Sequence, residues 1–163
     1  MSPALDQVTI REFEPGDETA FRQLNEEWIT HYFEIEAKDA EVINDPQSNI
    51  LALGGRVFFA VLEGRCVGCC ALIPTGPGEF EVAKMAVTET SRGMGIGRRI
   101  LNAVVDAARS ANVRKLSLET NHALSNAMHL YESIGFRHVT PGHTSGYVRA
   151  DVFMEMALDT PRP

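Results

Sequence analysis

Between Glu81 and Ala111 the spacing of apolar positions changes period. Glu81-Val-Ala-Lys-Met-Ala-Val87 alternates apolar with charged residues, as an interior strand does, and from Ile96 the repeat becomes 3.6. Ile96, Ile100, Leu101, Val104, Val105 and Ala108 then form one stripe. Arg98, Arg99, Asn102, Asp106 and Arg109 take the opposite side, the pattern of a helix packed on a sheet. Three glycines, Gly93, Gly95 and Gly97, lie at the change of period, so the segment reads as strand, glycine turn and helix.

The same reading extends outward from this unit. Val8 to Phe13 is expected as a strand stopped by Glu14-Pro15-Gly16, with Asp17 capping a helix whose face is Phe21, Leu24, Trp28 and Ile29 and which ends near Ile29. A second short helix is expected between Ile35 and Ile43, followed by a turn-rich link over 44–49. Val57 to Leu62 and Arg65 to Ile73 are paired strands joined at Glu63-Gly64, and Pro74 to Gly78 reads as a loop. Beyond the central helix, Lys115 to Glu119 is a strand, Asn121 to Ile134 a helix capped by Gly135, and Phe136 to Val139 and Val152 to Leu158 the last strands. Thr140 to Gly146 reads as loop and 160–163 as a tail. Together these predict an α/β (α+β) domain with a mixed, mostly antiparallel sheet flanked by helices, spanning 1–163 with its core at about 8–158.

Composition narrows the possible functions. A chain of 163 residues, 44% hydrophobic and 23% charged, suits one globular domain. Its formal charge of −7 and the lack of a sustained basic stripe argue against a nucleic-acid surface. The longest apolar run, Val57 to Leu62, is too short for a membrane span, and Met1-Ser-Pro3 lacks a signal-peptide pattern, so a cytoplasmic protein is expected. Cys66, Cys69 and Cys70 share one predicted strand, with no second pair or histidine cluster to complete a zinc site. They read as small core residues, and no metal is expected.

The glycine turn carries the chemistry. Glycines at a helix start expose backbone N–H groups that have no intrahelical partner, and the helix dipole adds positive charge there, so an anion such as a pyrophosphate is a natural ligand. A turn needing glycine only for its geometry is the alternative. The P-loop spacing fails because Arg98 and Arg99 follow Gly97, and the dinucleotide spacing G-x-G-x-x-G fails at Arg98 and at Ile100. The string that is present, Arg92-Gly93-Met94-Gly95-Ile96-Gly97 after Met85-Ala86-Val87, resembles the acetyl-CoA signature of the GNAT superfamily of N-acetyltransferases. Downstream, Asn126, Tyr131 and Gly135-Phe136 match the N-x-x-x-x-Y-x-x-x-G-F pattern of the same family's next helix.

This resemblance implies a single GNAT-like domain whose sheet splays between the strands before and after the central helix. It implies acetyl-CoA as cofactor, held by Met85, Ala86, Val87, Arg92, Gly93, Met94, Gly95, Ile96, Gly97, Arg98, Asn126 and Tyr131. Tyr131 takes the position of the general acid that protonates the thiolate, the alternative being a core aromatic. Glu81, expected by alternation to share a face with Ala83, Met85 and Val87, is the candidate base; otherwise it is a carboxylate paired with a cation such as Lys84, and His122 is a second candidate. Tyr32, Phe33, Glu34 and Glu36 lie where the family shapes its acceptor site, or else form a packed aromatic corner. The expected reaction is direct transfer of acetyl to a primary amine of a small molecule, peptide or protein, by a monomer or homodimer. A non-catalytic acyl-CoA sensor of the same fold is the alternative.

Overall fold

The computed structural model describes residues 7–158; the N-terminal Met1-Ser-Pro3 and the expected tail at 160–163 lie outside them. The elements follow in the order β1 Thr9–Glu12, α1 Glu18–Tyr32, α2 Ala37–Asn44, α3 Pro46–Asn49, β2 Arg56–Leu62, β3 Arg65–Gly76 and β4 Glu79–Val87. They continue with α4 Ile96–Ser110, β5 Lys115–Thr120, α5 Ser125–Ile134, β6 Arg137–His138 and β7 Val152–Ala157. Seven strands form one sheet in the order β1-β2-β3-β4-β5-β7-β6. Every neighbouring pair is antiparallel except β4 and β5, which are parallel because α4 crosses over between them.

The sheet separates two cores. On one face the α4 stripe of Ile96, Ile100, Leu101, Val104, Val105 and Ala108 packs with Phe58, Leu72, Val82 and Leu116, joined by Tyr131 of α5. On the other, Phe21 and Leu24 of α1 and Ile43 of α2 cover Val57, Phe59, Cys69, Ala71 and Ala86. The approach of α4 is close enough to dictate a residue type. A Cβ on Gly68 would lie 2.7 Å from Ile100 Cδ1 and 3.2 Å from Ala86 O, so a larger side chain there would force the Ile100 side chain and its neighbours to shift.

Several boundaries depart from the sequence reading for identifiable reasons. β3 continues through Pro74 and Thr75 to Gly76, because an irregularity in the ladder between Pro74 and Gly76 accommodates the missing proline donor. α1 runs to Tyr32, and the turn-rich link contains α3, where the Asp45 side chain caps Ser48 N at 3.1 Å and Pro46 opens the turn. α5 begins at Ser125 instead of Asn121, whose side chain accepts from Ala123 N at 2.8 Å and thereby holds a turn.

The largest departure lies in β4. Cys69 pairs with Ala86 but Ala71 pairs with Ala83, so β4 carries one extra residue, a bulge in which Lys84 has φ +55°. The bulge inverts the alternation after it. Met85 and Val87 therefore pack on the α4 face with Val82, and Glu81 does not share their face as expected.

Candidate active site

The functional region opens where β4 and β5 part. Their parallel pairing ends at Glu81 with Ser117; beyond it β4 follows β3 to Val87, while β5 follows β7 to Thr120. Backbone groups on the facing edges are left for another partner. A cleft of about 110 Å³, open to solvent, fills this splay. Asn25, Trp28 and Phe33 enter from the α1 side, Glu81 to Met85 from β4, Glu119 from β5, and Ala127 and Tyr131 from α5.

The glycine turn sits beyond the end of β4. Gly93 and Gly95 adopt φ +83° and +82°, conformations that glycine enters without strain. No protein acceptor among the described residues takes the amides of Gly95, Ile96, Gly97 or Arg98. Gly97 has no positive φ, and a Cβ there would meet only Leu130 Cδ2 at an ordinary 3.5 Å. Nothing among the described residues therefore demands glycine at 97, although a helix ordinarily disfavours it.

The side chains near the turn serve different ends. Ile96 is buried in the core, Met94 packs against it, and Arg98 is exposed, with no ion pair among the described residues. Arg92, expected beside the phosphates, is directed elsewhere: its Nε donates to Val87 O at 2.9 Å, its NH2 pairs with Glu27 at 3.3 Å, and its guanidinium stacks 4.9 Å from the Trp28 ring centroid. Glu27 completes this anchor by accepting from Thr88 Oγ1 and Glu89 N. The connection between β4 and the turn is thus tied to α1 through a residue that the sequence reading passed over.

Glu81 and Tyr131 both line the cleft. Glu81 makes no ion pair among the described residues; the alternative reading, a pairing with Lys84, is not seen, because Lys84 binds Asp39. Burial pushes its carboxyl above the ordinary value, and the Glu119 carboxylate across the splay adds to the effect against the pull of Lys38, Lys84 and His143. Glu119 itself is held by Ser145 Oγ and by His143 at 3.5 Å. Burial likewise raises the Tyr131 phenol, which packs edge-on to Phe136 and remains protonated across the neutral range.

Other candidates are dispersed. His122 does not line the cleft and is exposed, bound to Asp151. Asn126 is exposed on the first turn of α5, and Ala86 is buried beneath the sheet against Cys69. Of the four acceptor-site candidates, Phe33 alone lines the cleft. Tyr32 stacks on Trp28 with centroids 4.9 Å apart, Glu34 lies outside, and Glu36 accepts from Val148 N at 2.9 Å and from Arg149.

The sequence reading missed the cluster that roofs the cleft. Asp39, fully buried, accepts Lys84 Nζ at 2.8 Å and both terminal nitrogens of Arg149 at 2.6 and 2.7 Å. Burial alone would raise the Asp39 carboxyl, but the hydrogen bonds from Arg149 and Lys84 outweigh it and hold the group at about 2. Lys84 Nζ also donates to Tyr147 OH at 2.8 Å, and the Tyr147 ring is flanked by Lys84, Lys38 and Arg149. Burial lowers the Lys84 ammonium despite Asp39. Lys84, Tyr147 and Arg149 all face the cleft.

A parallel pair of strands that part beyond Glu81, beside a glycine turn with open amides, frames the site. Residues 17–136 match the model of the acetyltransferase (GNAT) family, and the chain belongs to that family, whose members use acetyl-CoA. It is 38% identical over 104 residues to an IAA acetyltransferase of Azospirillum brasilense, covering 63% of this chain and 68% of that protein. An acetyltransferase of the GNAT family from Staphylococcus aureus superposes with a TM-score of 0.84 at 20% identity, over 93% of this chain and 99% of that one. An acetyltransferase from Salmonella typhimurium, solved with its cofactor acetyl-CoA, gives 0.75 at 18% identity over 96% of each chain. Among the described residues, no helix is long and apolar enough to cross a membrane.

Proposed function

We propose that the chain transfers an acetyl group from acetyl-CoA to a primary amine of a small molecule, peptide or protein, by direct attack within a ternary complex. The observation that carries this reading is the open turn. The unpartnered amides of Gly95 to Arg98 stand at the positive end of α4, where a diphosphate is favoured, next to a splay whose strand edges suit an extended amide-bearing arm. Met85 to Val87 would guide the pantetheine, the amides of Gly93 to Arg98 the phosphates, and Asn126 the arm from α5.

The chemistry requires a neutral amine, a donor for the developing oxyanion and a proton for the leaving thiolate. Glu81 takes the ammonium's proton as base, its half-buried carboxyl, with no ion pair among the described residues, suiting the role. The amine nitrogen then bonds to the thioester carbon, a β4 amide supports the oxyanion, and the C–S bond breaks as Tyr131 donates its proton to sulfur. Burial keeps the phenol protonated while making it a weaker acid, and the tyrosinate it leaves takes the surplus proton from the nitrogen of the newly formed amide, which closes the proton balance.

Incubating the purified protein with acetyl-CoA and a panel of amines, and titrating the released thiol, tests the activity. Release that depends on one class of amine is expected. Thermal stabilisation by CoA without thiol release on any amine would return the non-catalytic sensor reading.

A further inference from the structure

Lys84 is an unusual choice for its position. It is the extra residue of the β4 bulge and adopts φ +55°, a region that L side chains enter only at a cost and that glycine or asparagine normally fills. The side chain is nevertheless long, charged and 6% exposed, clamped between Asp39 and Tyr147 at 2.8 Å each. Asp39 belongs to α2 and Tyr147 to the segment before β7, so the clamp reaches the bulge from two elements outside the sheet.

The bulge is braced from beneath as well. The buried Asn25 donates to Cys69 Sγ at 3.5 Å, Cys69 Sγ donates to Lys84 O at 3.5 Å, and Cys70 Sγ reaches Ala83 O at 3.6 Å. The two buried thiols thus add side-chain contacts to the carbonyls of Ala83 and Lys84 at the bulge. All this support converges on the part of β4 that lines the cleft beside the splay, where Ala83, Lys84 and Met85 follow Glu81.

We propose that Lys84 and Asp39 are positioning residues: their buried pair holds the β4 bulge in its left-handed conformation and so aims the strand's backbone at the bound thioester. The inference rests on the acetyl-transfer reading for what the bulge faces, and on geometry alone for what holds it. Lys84 does not act as an acid or base in this scheme. Its ammonium is spent on Asp39 and Tyr147.

Two substitutions separate the side chain from the backbone. Lys84→Gly and Lys84→Ala remove the same clamp, but glycine enters φ +55° freely and alanine does not. Both leave Asp39 bound by Arg149, so both should fold. Lys84→Gly is expected to keep kcat within about threefold of the natural chain, while Lys84→Ala loses about tenfold, with KM for acetyl-CoA within twofold in both. Equal losses would mean the ammonium acts on the substrate, and no loss in either would mean the clamp is idle; either result overturns the proposal. Should the natural chain release no thiol, the acetyl-transfer reading falls separately, and backbone chemical shifts of residues 83–86 decide the inference. A bulge kept in Lys84→Gly and lost in Lys84→Ala supports it, and a bulge kept in both overturns it.

Discussion

Two residues at the cleft differ in what their environment asks of them. Tyr131 has its phenol raised by burial, so it stays protonated through the neutral and mildly alkaline range and contributes no alkaline limb to the pH profile there. Tyr131→Phe should lower kcat by about 10²-fold while leaving the Kd for CoA nearly unchanged, the low end of what a placed acid supplies. Full turnover in that variant would remove Tyr131 from the chemistry. Glu81 must be ionised to act as base, so kcat/KM should fall as pH drops through a value above the ordinary 4.5, since burial and Glu119 raise it. Glu81→Gln should lose that acid limb together with about 10²-fold or more of the rate. A variant that kept the same limb would assign it to another group.

The turn and helix α4 give a prediction in which stability and binding move in opposite directions. Gly97 is helical, has ordinary space around its Cβ position, and lies among unpartnered amides. Gly97→Ala should therefore raise unfolding stability by a few tenths to about 1 kcal/mol, because alanine is the better helix former. If a diphosphate rests against that backbone, the added methyl should also weaken CoA binding, read by calorimetry. Tighter or unchanged binding would place the phosphates elsewhere.

The same elements show what the sequence could and could not reveal. α4 was legible because six apolar residues fall on one stripe and bury together, and the glycine turn because glycine announces its own backbone. The β4 bulge was invisible because Lys84 carries no turn signal and the strand's alternation looks intact across it. Glu81 and Tyr131, singled out by motif position, both line the cleft, yet the parity of Met85 and Val87 was misjudged for that one hidden residue. Glu27 was passed over as an ordinary helix-face acid, and the contacts of Arg92 to Val87 O and Glu27 carried no sequence signal. The Asp39 cluster joins residues 45 and 110 positions apart, a separation over which neither periodicity nor spacing carries a signal.

At the scale of the molecule that cluster links α2, the β4 bulge and the segment leading to β7, and its charges make the linkage depend on pH. Asp39 titrates at about 2 in the fold against an ordinary 3.8, so it contributes stability that is present above pH 3.8 and lost as pH falls through about 2. The difference corresponds to roughly 2 kcal/mol. Asp39→Asn removes more than this at neutral pH, because Lys84 and Arg149 then remain charged with one buried partner gone; a loss of about 3 kcal/mol is expected by urea unfolding at pH 7. At pH 2 the natural carboxyl is itself becoming protonated, so the gap between the two proteins should narrow by most of that amount. A gap that stays constant from pH 7 to pH 2 would show that the aspartate matters by shape and not by charge, and would separate the fold's acid sensitivity from the pair that holds the bulge.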